Sequence, residues 1–332
     1  MRTLQWALKA AGISAALVFL NSCSSNPHAP AELYILVADN TKIAYWQSAY
    51  QGLLHATGEL KVKEGQIQGP DGHDPQGEHQ AFQRALAQKP AGILVSVTDA
   101  SVLTPDIDSA ISQGIPVITI DSDAPDSKRL FFVGTDNFNA GTIGGNLTSK
   151  LIGGKGNVVI FTIASQANLK DRLHGYQASF AEHPGIHILD TIDMNGNSDI
   201  AFDNTKKLID GKAKVDAFIC LEALSCPAVA EAVSRANMTG KVTIIAMDTD
   251  PGTVDGIKKG VISATIAQRP WTMAYFGTKL VADIHLHPPN PLAGNWKESS
   301  FAPLPQFVDT GTFVVDKNNV GSLSQQPGGG GQ

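Results

Sequence analysis

The stretch GIPVITIDSDAP, Gly114 to Pro125, runs a β-branched apolar segment straight into Asp121, Ser122 and Asp123. KVTIIAMDTDPG, Lys241 to Gly252, repeats the design in the other half of the chain, with Asp248 and Asp250 ahead of a turn-forming proline. Runs of this kind fit strands covered on both faces, and such a strand delivers its carboxylates to one edge of a sheet. Two strands with the same ending, one in each half, favour two similar sheets over one sheet of ten strands.

Outward from these two, further strand runs are LYILVA, VKEGQIQ, AGILVSV and LFFVG, then NVVIFTI, IHILDTI, DAFICL and ISATIA. Segments of helical period start near Tyr45, Gln76, Val102, Asn139, Asp171, Ser198, Ala228, Pro251 and Trp271. Short strands alternating with longer helices predict βαβ units and parallel sheets, an α/β class. Ligands of such sheets bind outside the carboxyl ends of the strands, where Asp121, Asp123, Asp248 and Asp250 all fall.

The 332 residues are 42% hydrophobic and 17% charged, an ordinary globular balance, and the length suggests about two domains. Arg2 and Lys9 precede or open an apolar run of 11, AAGISAALVFL, too short to span a bilayer as a finished helix. It ends in LNSC, Leu20 to Cys23. That resembles a bacterial lipobox, whose cysteine becomes a lipidated N-terminus, so residues 1–22 read as a signal peptide and Cys23 as the lipidation site. A plain signal peptide cut near Ser25 is the alternative. Removing 1–22 takes away Arg2 and Lys9 and no acid, moving the formal charge from −6 to −8. An acidic exported protein lacks the basic face that nucleic-acid binding needs. Residues 23–31, including SSNPHAPA, read as a polar tether, and 321–332, ending in QQPGGGGQ, as a disordered tail.

Export permits a disulfide between Cys220 and Cys226. One bridge is not required by a chain of this length, and the Cα separation is open. Without a matching histidine cluster, the two do not make a zinc site. GGKGN, Gly153 to Asn157, lacks phosphate-loop spacing and reads as a helix C-terminal turn. GHDPQGEH, with His73, Asp74, Glu78 and His79, reads as a loop leading into a helix. No G-x-S-x-G, H-E-x-x-H or Cys/His pairing is present. No catalytic residue, metal or cofactor is expected.

GIPVITIDSD, VGTDNFNAG, DRLHGYQASF and GVISATIAQRP closely resemble, in order and spacing, motifs of the periplasmic sugar-binding proteins of the ribose-binding type, from about Glu32 to His285. The resemblance implies a type I periplasmic binding protein fold: two Rossmann-like lobes with parallel sheets, joined by a three-segment hinge, with ligand between them. Crossings are implied near Thr135–Asn137, near Gln268–Arg269 and after Ala293. The first lobe would take 32–135 plus 269–297, and the second 136–268 plus 306–320. Carried over residue by residue, Tyr45 and Trp46 match the aromatic pair after the first strand. Asp121 and Asp248 match the two strand-end acids, Arg172 the arginine ahead of HGY, and Gln268 the hinge glutamine. Three positions depart: Ile43 and Leu221, the latter followed by Glu222, stand where asparagines are expected, and Ser122 stands for a basic residue. The departures imply fewer hydroxyl contacts, as for a deoxysugar or another small polar ligand.

The chemistry suits a polyol. Carboxylates accept from hydroxyls, Arg and Gln supply planar donors, and aromatic rings cover an apolar sugar face. Plain structural roles stand beside these: Tyr45 and Trp46 as core, Asp121 as a turn cap, Asp248 as a helix cap, Arg172 as a solvated helix residue, Gln268 as hinge support. The leading function is a lipid-anchored, monomeric substrate-binding protein that closes on a small sugar or polyol and passes it to an ABC permease of the inner membrane. A receptor feeding a signalling or chemotaxis partner is the alternative. An exported sugar-acting enzyme would need a carboxylate pair flanking a scissile bond. The related repressor family shares the lobes, but here an export signal stands in place of its DNA-binding headpiece.

Overall fold

The computed structural model describes residues 26–292 and 301–325. Cys23, with the lipidation expected of it, lies outside them. Two six-stranded sheets form separate lobes. The first holds β1 (Tyr34–Val37), β2 (Gln66–Gln68), β3 (Gly92–Val95), β4 (Val117–Ile120), β5 (Phe132–Gly134) and β11 (Phe307–Asp309), in the order β11-β5-β4-β3-β1-β2, all parallel. The second holds β6 (Lys155–Thr162), β7 (Gly185–Asp193), β8 (Ala217–Cys220), β9 (Thr243–Met247), β10 (Ala264–Ala267) and β12 (Phe313–Asp316), in the order β12-β10-β9-β8-β6-β7. Only β12 runs antiparallel. The shared order, second-first-third-fourth-fifth, is the duplication that the two Asp-x-Asp strands predict.

Helices alternate with the strands: α1 (Ala44–Leu60), α2 (Pro75–Ala87), α3 (Ala100–Ser112), α4 (Asn137–Leu151), α5 (Ala167–Ala181), α6 (Ser198–Asp210), α7 (Ser225–Arg235), α8 (Pro251–Lys258) and α9 (Pro270–Leu286). The first core joins Tyr34–Val37, Ile93–Val95 and Val117 to Leu53, Phe82, Ile107 and Met273. Side chains alternate along β6 as a strand requires. Val158 and Ile160 meet Tyr176 and Phe180 on one face, and Val159 and Phe161 meet Val229 and Ile257 on the other. Small residues set the closest helix contacts. A Cβ on Gly52 of α1 would lie 2.1 Å from the Trp271 carbonyl oxygen of α9, and one on Gly141 of α4 would lie 2.0 Å from that of Arg172 on α5.

Among the described residues three segments cross between the lobes: 135–136 between β5 and α4, 268–269 between β10 and α9, and 310–312 between β11 and β12. Asp309 ties two of them, its Oδ1 accepting from the Asp136 and Gly311 N–H groups at 3.2 and 2.9 Å.

Three boundaries differ from expectation. Phe307–Asp309 falls in the first lobe, not the second, because it pairs with Phe132–Gly134, where Phe307 stacks on Phe132 at 5.2 Å. The tail is ordered through a 3-10 helix, Val320–Gln325, since Val320 and Leu323 pack on the second core. The tether is docked from Asn26 onward. Asn26 Nδ2 donates to the Leu60 carbonyl at 2.6 Å, and His28, buried, lies 2.8 Å from Glu32 Oε2.

Candidate functional site

A cleft lies between the lobes, with about 530 Å3 of empty space when its open mouth is included. Its polar walls come from strand ends: Asp39 after β1, Asp121 after β4, Glu222 after β8, Asp248 after β9 and Gln268 after β10. These are the carboxyl ends of the strands, and Asp39 and Glu222 adjoin the points where the strand order reverses, between β1 and β3 and between β6 and β8.

Asp121 sits on a left-handed turn, with φ of 62°. Its Oδ1 accepts from the Tyr45 hydroxyl at 2.6 Å, and its Oδ2 accepts from Ser96 Oγ and, across the lobes, from Asn168 Nδ2, both at 3.3 Å. Burial pushes its carboxyl up from 3.8, against the lowering by Tyr45 and by the positive charge of Arg172. Asp248 accepts from the Gln268 backbone N–H at 3.3 Å and from Gln268 Nε2 at 3.2 Å. Burial raises it to about 7, against the pull of Arg172. Asp250, not Asp248, occupies the N-terminal cap position of α8, and burial raises its carboxyl to about 6.

Arg172 is a helix residue, but it is among the largest fully buried side chains, not a solvated one. Its Nη2 donates to Asn137 Oδ1 at 2.5 Å and its Nη1 to the Leu221 carbonyl. The guanidinium thereby ties the first residue of α4 to the residue after β8. Its Nε has no partner among the described residues.

Tyr45 and Trp46 are both buried core residues and cleft lining, with their rings edge to face at 5.1 Å. The other expected positions divide. Glu222 lines the cleft while its carboxylate accepts from the Leu224 and Ser225 N–H groups at 2.5 and 2.9 Å, capping α7. Ser122 and Leu221 are not among the lining residues. The Ser122 backbone is held by Ile120 and Val97, and the Leu221 side chain belongs to the core beneath the sheet. From Leu221 only the carbonyl takes part, holding Arg172.

Sequence reasoning missed Asp39, His73, Gln166 and Asn168 as lining. Asp39 Oδ1 accepts from Thr98 Oγ1 at 3.0 Å and lies 3.3 Å from His73 Nδ1, while its Oδ2 accepts from Gln166 Nε2 of the other lobe at 3.1 Å. Gln166 stands at the N-terminal cap position of α5 without capping it, since its amide is committed across the cleft. GHDPQGEH does lead into a helix, with Asp74 capping α2, but His73 turns from that loop into the site. Its Nε2 lies 3.4 Å from Ser165 Oγ of the second lobe. Cys220 and Cys226 are joined by a disulfide, Cα atoms 5.6 Å apart. The ring closes around residues 221–225, which include three lining residues, Glu222, Ala223 and Leu224.

A family model described as a periplasmic binding protein domain matches residues 34–286. The chain is 24% identical over 269 residues to the D-allose-binding periplasmic protein of Escherichia coli K12, covering 78% of this chain and 86% of that one. Among solved structures, it resembles the sugar-binding protein of a sugar ABC transporter from Bacillus halodurans, with a TM-score of 0.78, 32% identity and coverage of 87% and 99% of the two chains. It also resembles AraP, an arabinose-binding protein from Geobacillus stearothermophilus, with a TM-score of 0.75, 30% identity and coverage of 88% and 99%.

Proposed function

The chain belongs to the family of periplasmic binding protein domains, and from that premise we propose that it is the substrate-binding lipoprotein of an ABC importer for a small sugar or related polyol. The observation that carries this reading is the convergence of Asp121 from one lobe and Asp248 from the other on a single cleft that Arg172 and Gln268 also line. The relatives named as sugar-binding proteins support the ligand class.

Binding proceeds by hinge closure in this reading. A ligand touching both carboxylates makes its full set of contacts only with the lobes together, and it stabilises that arrangement by its difference in affinity for the two forms. Tyr45 and Trp46 cover the sugar ring, the carboxylates accept from hydroxyls, and Arg172 Nε donates. Cys23 carries the lipid anchor, and the closed lobes, acting as a monomer, present the ligand to a membrane permease.

A thermal-shift screen of monosaccharides and polyols tests the proposal. At least one should raise the melting temperature, by about 2.7 kcal/mol of stability at a hundred times its dissociation constant. A protein indifferent to the whole panel would not be a sugar receptor.

A further inference from the structure

The cleft wall is more acidic than a neutral ligand requires. Asp39, Asp121, Glu222 and Asp248 line it, while Arg172 is the one Lys or Arg side chain among the lining residues. Both Nη groups of Arg172 are already committed, to Asn137 and Leu221. His73 adjoins Asp39 at 3.3 Å, so even a charged imidazole leaves acids in excess. Burial disfavours the ionised forms of Asp121, Glu222 and Asp248, which is the mark of carboxylates short of positive partners.

A second observation points the same way. Gln268 is 7% exposed, and its Nε2 faces both Asp248 oxygens. The amide nitrogen donates to both of these oxygens. Gln268 Oε1 is thereby left as a buried acceptor with no donor among the described residues. The balancing charge is not a metal ion's, for no three carboxylate, histidine or cysteine groups among the described residues are placed to hold one.

We infer that the ligand is an aminated monosaccharide, its ammonium set among Asp121, Asp248 and Gln268 Oε1 and one of its hydroxyls accepting from Arg172 Nε. An ammonium brings three donors and no acceptor, matching a wall of acceptors. Its hydrogen bonds to carboxylates are about twice as strong as those of a neutral hydroxyl. This deepens the sugar-receptor reading and rests on it.

Calorimetry at pH 7 on the mature protein tests the inference, using glucosamine, galactosamine and mannosamine, each beside its parent hexose and its N-acetyl derivative. At least one amine should bind about tenfold or more tightly than its hydroxyl parent, and N-acetylation, which removes the charge, should abolish the gain. A parent sugar binding as tightly as its amine overturns the inference and leaves the sugar reading standing. So does silence from all three amines when any neutral sugar or polyol of the thermal-shift panel binds. Silence from the amines and the panel together overturns both.

Discussion

Asp121 and Asp248 occupy the same place in the two lobes and share one backbone conformation, with φ of 62° and 64° directly after β4 and β9. Each is pinned by the next strand of its sheet. The Asp121 N–H donates to Val133 of β5 at 3.1 Å, and the Asp248 N–H to Ile266 of β10 at 2.9 Å. Left-handed backbone is uncommon for residues other than glycine, though Asp tolerates it better than most. The turn stops the strand and leaves a carboxylate at the cleft on each side.

The raised carboxyl of Asp248 should make stability depend on pH. In the unfolded chain it loses its proton near 3.8, and in the fold near 7. Between those values the fold holds a proton that the unfolded chain does not. Its contribution is therefore complete below about 3.8 and lost as pH rises through about 7, an effect on the order of a few kcal/mol. Asp250, at about 6, acts in the same direction. Asp248→Asn cannot titrate there, so its urea midpoint should fall less from pH 5 to 8 than that of the parent. Parallel curves for the two proteins would contradict the assignment.

Arg172→Met should weaken both fold and binding. It leaves Asn137 Oδ1 and the Leu221 carbonyl without their donor and removes the cation that holds down the buried acids. Two charged hydrogen bonds at about 1.5–3 kcal/mol each set the scale of the loss. Thermal unfolding and ligand titration together check this. Wild-type stability with lost binding would mean that Arg172 serves the ligand alone.

Gln166→Ala removes a direct tie between the lobes, the bond to Asp39. The ligand-free protein should then show a larger radius of gyration in small-angle scattering, and saturating ligand should restore the compact value. Identical radii for variant and parent without ligand would show that this bond does not hold the cleft shut.

The Cys220–Cys226 bridge closes a ring of seven residues, for which chain entropy gives roughly 2 kcal/mol. Cys220→Ala with Cys226→Ala should lower the melting temperature by roughly 4–8 °C and weaken ligand binding, because the ring contains Glu222 to Leu224. Reductant should shift the parent toward the variant and leave the variant unmoved. Equal sensitivity in both would dissociate the bridge from stability.

Cys23→Ala should move the protein from the membrane fraction to the soluble one, or leave unprocessed precursor. A single acyl chain anchors only marginally, so the processed cysteine should carry more than one. Unchanged membrane retention in the variant would remove Cys23 from anchoring.

Much of the fold was legible because its strands are near-continuous Val and Ile runs ending in acids or turns, a local signal. Phe307–Asp309 carried no such signal. It is three residues long, exposed at both ends, and joins the first sheet by a partner some 175 residues earlier. The site was legible where a residue follows its own strand, as with Asp121 and Asp248. Gln166 and Asn168 were not, because their bonds to Asp39 and Asp121 come from the meeting of two lobes that no local pattern describes, and Asp39, though it follows β1, lacks the Asp-x-Asp ending that marked the other two strands. Ser122 and Leu221 stood at the right positions in the chain, but their side chains pack away from the cleft.

The crossings also bear on how the chain reaches its native state. The first core is completed by Met273, Ala274, Val281 and Ala282 of α9, which follow the whole run of the second lobe from α4 to β10. An emerging chain must hold its first 135 residues without the helix that seals their core while more than a hundred others are made. Contacts so distant in sequence slow folding, and slow folding keeps a chain threadable. For a member of a periplasmic family, the interleaved order of its lobes favours passage first and folding afterwards. A chain ended before Pro270 should accordingly stay open to protease, whereas one extended through Gln325 should resist it.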